Sequence, residues 1–496
     1  VHFNPNESFH VFLTIYYLKK TYFCIKLPIM NRRHFLRNGL WVSAGLSMFQ
    51  NIVAQKQSPS KHGVKNIIFM VSDGMSSGTL AMADIYKQRI FGKGSEWLDL
   101  YRNQMVTRGL MDMASANHIV TDSAAASSSW GSGFRVKNGR LNIDEKGNAL
   151  LPIWQKLKRK SMQVGCVTTV PIAHATPAGF CVAQKSRNSM DDIALQYLDF
   201  KFDVMMGGGN SNFDPKSRKD GVDVYSKYLS NGYQVVKNKE AMLQAKHDKP
   251  ILGVFAEEGL PYTLDRVHTP ALDKEVPRLA EMTQKAIQAL KNSPNGFALQ
   301  VEAGKVDWAA HANDIGALLF DQLDFDEAIK VAIDFAIEDK NTLVIITSDH
   351  GNANPGLVYG KNDNDHFDNL QHFKMTNEML LNQIDSKMSV KQIQELVEMA
   401  NKNAISEEAA SKILSYYTGT ALEKEGGLYN HKKLPFEFLA KTQKDYTSVG
   451  WIGNDHSSDY TELAMFGPGS DKLKPFIKNT DLHYFILDAL GIENNF

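Results

Sequence analysis

Leu343-Val344-Ile345-Ile346-Thr347-Ser348-Asp349-His350 is an apolar run that stops at two residue types able to hold a metal ion. Two further stretches repeat the plan. Ile67-Ile68-Phe69-Met70-Val71 runs into Ser72-Asp73-Gly74, and Phe297-Ala298-Leu299-Gln300-Val301 runs into Glu302. Short continuous apolar runs bounded in this way read as strands buried on both faces. In an open α/β sheet the ligand crevice lies just beyond the carboxyl ends of the parallel strands. The three runs therefore predict that Asp73, Glu302, Asp349 and His350 meet on one rim.

Further strand-like runs lie at 164–170, 203–206, 251–255 and 463–466, with helical patterns between them, including 276–291 and 315–337. Strands alternating with helices predict an α/β fold, a three-layer sandwich with a central, mostly parallel sheet flanked by helices. The region 355–450 departs from the alternation. It holds no convincing apolar strand and reads as helices at 390–401 and 406–417 in polar loops, a mostly helical insert serving as a lid or surface subdomain. The expected organisation is a core over 64–354, the insert over 355–450, and a return to the core over 451–496.

The chain of 496 residues carries 55 Lys+Arg and 55 Asp+Glu, so its formal net charge is zero. Neither a nucleic-acid partner nor an anionic membrane surface is implied. A hydrophobic fraction of 43% is ample for a core. Residues 1–29, an irregular stretch broken by Lys19-Lys20, read as an extension preceding the true start at Met30. Asn31-Arg32-Arg33-His34-Phe35-Leu36-Arg37, an apolar stretch over 39–49 and small residues near Val53-Ala54 then follow the order of an export signal over 30–55. The paired arginines before Phe-Leu resemble a twin-arginine signal, an ordinary secretory signal being the alternative. The expected location is exported, periplasmic or extracellular, without stable membrane insertion. Of three cysteines, Cys24 falls in the removed segment. Cys166 and Cys181 read as free buried thiols, with a disulfide as the other possibility.

Asp307 and His311 stand four apart, on one face of a helix, where both reach one ion. Such pairs occur on many solvated helices, but this one follows strand-end Glu302 by five residues. Asp349 and His350 are adjacent and can share an ion only at a turn, which Gly351 is expected to supply. In Thr121-Asp122-Ser123-Ala124-Ala125-Ala126, Asp or Ser reads as a helix cap. With the metal ligands present, however, Ser123 reads as a nucleophile, which a divalent cation and the helix dipole would activate. Arg187 follows a loop, Ala173-His174-Ala175-Thr176-Pro177, and its guanidinium fork suits a phosphate.

These residues, in this order, resemble the alkaline phosphatase family. The resemblance runs from Val64 to the C-terminus, the 355–450 insert excepted. It rests on Lys65-Asn66-Ile67-Ile68 through Asp73-Gly74-Met75, Thr121-Asp122-Ser123-Ala124-Ala125, Ala175-Thr176-Pro177-Ala178, Asp349-His350, and His456 before Phe466-Gly467-Pro468-Gly469. It implies an exported phosphomonoesterase acting on small phosphate monoesters through a phosphoserine at Ser123. It also implies two Zn2+ and one Mg2+. One zinc would use Asp307, His311 and His456; the second Asp73, Asp349 and His350; magnesium Asp73, Thr176 and Glu302. Arg187 would hold the phosphoryl oxygens, and pairing into a homodimer is common in the family. His174 and Trp308, expected just behind the ligands, stand where some members have Asp and Lys. Asn352 and Ser457-Ser458 also depart from common variants.

Rival readings are a phosphodiesterase or sulfatase-like relative on the same fold, and a non-catalytic metal- or phosphate-binding protein. A sulfatase would need an Arg that Ser123-Ala124-Ala125 lacks. A mere binder would be expected to lack a ligand or the nucleophile.

Overall fold

The computed structural model describes residues 63–496 except 423, so the expected export signal and the extension before it lie outside it. In chain order the strands are β1 (Asn66–Ser72), β2 (Thr107–Asp112), β3 (Gln163–Pro171), β4 (Val204–Gly208), β5 (Gln234–Val236), β6 (Ile251–Val254), β7 (Phe297–Ala303), β8 (Thr342–Thr347), β9 (Gly351–Asn352), β10 (Gly356–Leu357), β11 (Val449–Gly450), β12 (His456–Ser457), β13 (Thr461–Phe466) and β14 (Phe476–Lys478). Ten of them form one sheet in the order β14-β2-β13-β8-β1-β7-β3-β4-β6-β5. Only β13 runs antiparallel to its neighbours in that sheet. Its other pairings are parallel.

The strand β1 is buried along its whole length because successive side chains enter two different cores. Ile68 and Met70 pack with Leu299 and Ile346 beneath the helices Leu279–Leu290 and Ile315–Asp339. Ile67, Phe69 and Val71 face the other way, toward Trp130, Trp154 and Phe180. Two apolar faces give the expected three layers. The register then aligns the chemistry, since Val71 lies opposite Glu302 of β7 and opposite Thr347 of β8. Two residues on, Asp73 and Asp349 emerge level with each other, and Glu302 lies two residues behind them on the next strand.

The strands read from the sequence are all present. Within the ten-stranded sheet, those not read are the short β5 and β14, and β2, where Arg108, Gly109 and Asp112 leave only Leu110-Met111 as an apolar pair. The expected loop at 173–177 is instead the start of a helix, Ala175–Cys181, with His174 at its N-cap. Its backbone turns helical because Ala178 N–H donates to the His174 carbonyl.

Within 355–450, the helices Asn377–Asn382, Val390–Asn401, Glu407–Thr418 and Phe436–Thr447 enclose an apolar cluster that includes Leu381, Ile393, Val397, Ile413 and Leu439. The stretch is not free of strands, for β10 and β11 pair antiparallel, Leu357 against Val449. Two buried carboxylates fasten it: Asp265 accepts from Thr376 N and Oγ1, and Asp314 from the backbone N–H groups of Asn377 and Glu378. Cys166 and Cys181 are free and buried. No helix among the described residues is long and apolar enough to cross a membrane.

Candidate active site

The chain leaves β1 through Gly74, whose φ of 67° belongs to the left-handed region that glycine tolerates. A Cβ there would also stand 2.6 Å from Asp307 Oδ1. Gly74 N–H donates to Asp349 Oδ1 at 3.0 Å, joining the ends of β1 and β8. Gly351 has a different task from the turn expected of it. A Cβ on it would lie 2.4 Å from Ser457 Oγ, so glycine is what lets β9 pair with β12. That pairing sets His456 opposite Asn352 and brings the distant C-terminal ligand to the rim.

Three imidazoles converge there, each with Nδ1 against a backbone carbonyl. His311 Nδ1 is 2.7 Å from Asn454 O, His456 Nδ1 3.0 Å from Thr121 O, and His350 Nδ1 3.2 Å from Gly351 O. The carbonyls accept, so the proton is assigned to Nδ1 and the Nε2 lone pairs face inward. His311 Nε2 and His456 Nε2 are 3.1 Å apart, and each lies 3.5 Å from a carboxylate oxygen of Asp307. His350 Nε2 lies 3.5 Å from Asp73 Oδ1, 3.3 Å from Asp349 Oδ2 and 3.2 Å from Ser123 Oγ.

Three overlapping groups can each hold a metal ion: Asp307 with His350 and His456, Asp73 with Asp349 and His350, and Asp73 with His174 and Glu302. His311, absent from the tightest grouping, borders the first. Thr176 Oγ1 donates to Asp73 Oδ2 at 3.2 Å and borders the third. His174, expected behind the ligands, is thus itself within reach of the third group. Thr168 was not singled out; it lies beside Glu302 across β3 and β7 and donates to Glu302 Oε2 at 2.5 Å. A threonine inside a strand gives no sequence signal of such a role.

Several buried atoms at this rim have no hydrogen-bond partner: Asp73 Oδ1, Glu302 Oε1, Asp349 Oδ2 and His174 Nδ1. Native interiors rarely leave such groups unpaired, and here they surround one spot. The electrostatics agree. Burial, reinforced by Asp349 and Asp307, raises the Asp73 carboxyl well above its usual range. Burial takes Glu302 up to about 8 despite its bond from Thr168, and Asp349 up to about 7 despite its bond from Gly74. Burial opposes ionisation of Asp307 too, but His311 and His456 hold it well below the ordinary range. Burial and then His456 push His350 down, keeping it a neutral donor of its lone pair. Carboxylates so placed repel one another unless cations or protons lie among them.

Ser123 opens the helix Ser123–Ser132. The cap is Asp122, whose side chain accepts from Ala125 N at 2.9 Å, so Ser123 Oγ is left for other work. The helix is buried throughout and packs on Ala175–Cys181, where small residues permit close approach: Ser127 Oγ donates to Ala175 O at 3.1 Å. Arg187 is held on the same side. Its Nη1 donates to Asp122 Oδ2 at 3.2 Å and its Nη2 to His174 Nε2 at 3.1 Å. Burial and then Arg187 lower His174 to about 3, so it serves as an acceptor.

Trp308 is half-buried on the helix Lys305–His311, and the ring of His174 meets it edge-on at 6.1 Å. The sequence reading missed what lies over it. Tyr429, from the insert, packs its ring 4.9 Å from Trp308 and 5.3 Å from His311. Burial and then the Asp307 carboxylate raise its hydroxyl above the usual phenol range, with Arg187 opposing.

With this geometry in view, the comparisons with known proteins converge. Residues 64–492 match the family model described as alkaline phosphatase. Alkaline phosphatase 4 of Bacillus subtilis is 31% identical over 463 residues, spanning 92% of this chain and 94% of that protein. Alkaline phosphatase 3 of the same organism is 29% identical, spanning 88% and 91%. The crystal structure of Thermus thermophilus alkaline phosphatase superposes with a TM-score of 0.81 at 30% identity, over 89% of this chain and 94% of that one. The chain belongs to the alkaline phosphatase family and is a phosphomonoester hydrolase of its large, mostly parallel α/β fold.

Proposed function

We propose that this chain is an exported phosphatase of broad specificity that converts phosphate monoesters to alcohol and phosphate through a phosphoserine at Ser123. The observation that carries the reading is Ser123 Oγ, 3.2 Å from His350 Nε2 at the head of a buried helix and beside overlapping ligand groups. The unpaired oxygens of Asp73, Glu302 and Asp349 fit bound cations. Imidazole-rich sets suit zinc and oxygen-rich ones suit magnesium. Asp307, His311 and His456 would hold one zinc, Asp73, Asp349 and His350 the second, and Asp73, Thr176 and Glu302 the magnesium. Such ions, when bound, acidify a hydroxyl or water and neutralise charge on the transferring group.

This chain's own residues do the remainder. Ser123 Oγ gives up its proton and attacks phosphorus in line with the ester oxygen. The P–O ester bond breaks and the alcohol leaves with a proton. Water then attacks the phosphoserine, restoring Ser123 and releasing phosphate. Arg187 offers its guanidinium to the non-bridging oxygens, where charge builds up as the bond breaks. Asp122 and His174 aim it. The amino end of the helix Ser123–Ser132 adds its dipole to the same negative charge.

Export through the 30–55 segment, a core over 64–354 and 451–496 carrying the 355–450 insert, and pairing as a homodimer complete the proposal. Turnover of a chromogenic phosphate monoester, its loss in Ser123→Ala, and a phosphate group trapped on Ser123 at low pH would support it. Turnover retained in Ser123→Ala would overturn it.

A further inference from the structure

We propose that Tyr429, carried by the insert, is a phosphate-binding residue whose hydroxyl donates to a non-bridging oxygen of the phosphoryl group. The inference deepens the reading of Ser123 and Arg187 given above and rests on it.

Tyr429 comes from the insert between His350 and His456, yet its ring is wedged on the site. It lies 4.9 Å from Trp308 at 31° and 5.3 Å from His311 at 58°. Both rings come from one face of the helix Lys305–His311, and packing on them restricts the phenol. That hydroxyl feels Asp307, Arg187 and Asp73 together, and Arg187 in turn feels Tyr429. These residues line the place a phosphoryl group must occupy to be reached by Ser123. A phenol there is a hydrogen-bond donor with a rigid ring behind it.

The site also has a need for this donor. A transferring phosphoryl group spreads its charge over three oxygens, and one guanidinium fork serves two of them. Trp308 brings no positive charge to this wall. The adjacent Lys305 does not replace it, because its ammonium is engaged over the Tyr262 ring at 3.5 Å and the Trp308 ring at 4.7 Å. Tyr429, packed against Trp308, offers a neutral donor at this wall. Because it belongs to the 355–450 segment, seating of that segment on the rim becomes part of phosphate binding.

The test is Tyr429→Phe, which keeps the ring and its packing and removes only the donor. Wild-type turnover of phosphate monoesters is measured first; its absence would sink the reading of the site, not the role of Tyr429. Given turnover, Tyr429→Phe is expected to weaken inhibition by inorganic phosphate on the order of 10-fold, as for loss of a hydrogen bond to a charged acceptor. It is also expected to lower kcat/KM by the same factor for an aryl and an alkyl phosphate. Unchanged phosphate inhibition, or a loss confined to one type of leaving alcohol, would overturn the proposal. As a second measurement that keeps the hydroxyl, 3-fluorotyrosine is placed at position 429 and its fluorine resonance followed during titration with inorganic phosphate. A saturable shift is expected; no shift would contradict the contact.

Discussion

His311 Nε2 and His456 Nε2 face each other at 3.1 Å, although the Nδ1 of each is committed to a backbone carbonyl. In the tautomer that those carbonyls select, the two Nε2 lone pairs repel unless a cation or a proton lies between them. Something positive belongs between them, and Asp307, 3.5 Å from both, supplies the matching charge. The fold enforces this pairing from a helix on one side and the β9–β12 contact on the other.

Removal of divalent ions should therefore change how stability responds to pH. Without cations, Asp349 is held at about 7 and Glu302 at about 8, above the ordinary carboxylate values. The folded state then keeps protons that the unfolded chain has already released above roughly pH 4. Stability falls wherever the native state binds more protons, so the chelated protein should lose melting temperature as pH rises from 5 to 8. The zinc- and magnesium-loaded protein should show the opposite trend, because protons compete with the ions for the same oxygens. Parallel slopes in the two melting series would contradict the assignment of the rim as an ion site.

Asn352 donates from Nδ2 to Asp307 Oδ1 at 2.7 Å and orients that carboxylate. Asn352→Ala should weaken zinc binding by about 10- to 100-fold, the usual effect of losing a group that orients a ligand. Competition with a chromophoric chelator measures it, and restoration by Asn352→His would separate orientation from packing.

Asp122 has two duties, capping the helix at Ala125 N and holding Arg187. Asp122→Asn should keep the cap and lose the charge facing Arg187, raising KM for a monoester with little change in melting. Asp122→Ala should lose both, with about 1 kcal/mol of stability gone as well. Steady-state kinetics beside denaturant titration distinguishes the two.

Much of this site could be read in the sequence because its ligands stand at the ends of apolar strands. Asp73, Glu302 and Asp349 need only the rule that parallel strands present their carboxyl ends to ligand, and the register sets Asp73 level with Asp349 and Glu302 two residues behind. His456 was legible only through family resemblance, because β12 is two residues long and has no periodicity to show. Thr168 and Tyr429 carried no local signal at all. The first works by pairing across β3 and β7, the second by the tertiary placement of the insert, and neither follows from spacing. The glycine at 351 was expected for a turn, but its reason lies in the strand that approaches it.

The wall behind Ser123 is aromatic. Phe180 meets Phe69 at 5.0 Å and Trp154 at 4.8 Å, all fully buried. Phe180→Ala should cost about 3–5 kcal/mol through lost burial and the cavity left behind. Denaturant unfolding of the metal-loaded protein measures it, and a loss under 1 kcal/mol would show that the helix pair collapses freely into the space.

The central claim is a phosphoryl transfer to Ser123 at this rim. The most direct measurement compares hydrolysis of a chromogenic phosphate monoester with the matching diester, on protein from about residue 56, since the export signal is read as ending there. It is run with zinc and magnesium, after chelation, and in Ser123→Ala. Monoester turnover far above diester turnover, lost on chelation and reduced at least about 1,000-fold in the variant, is the expected result. Diester preference, or monoester turnover indifferent to Ser123 and to metals, would contradict the account.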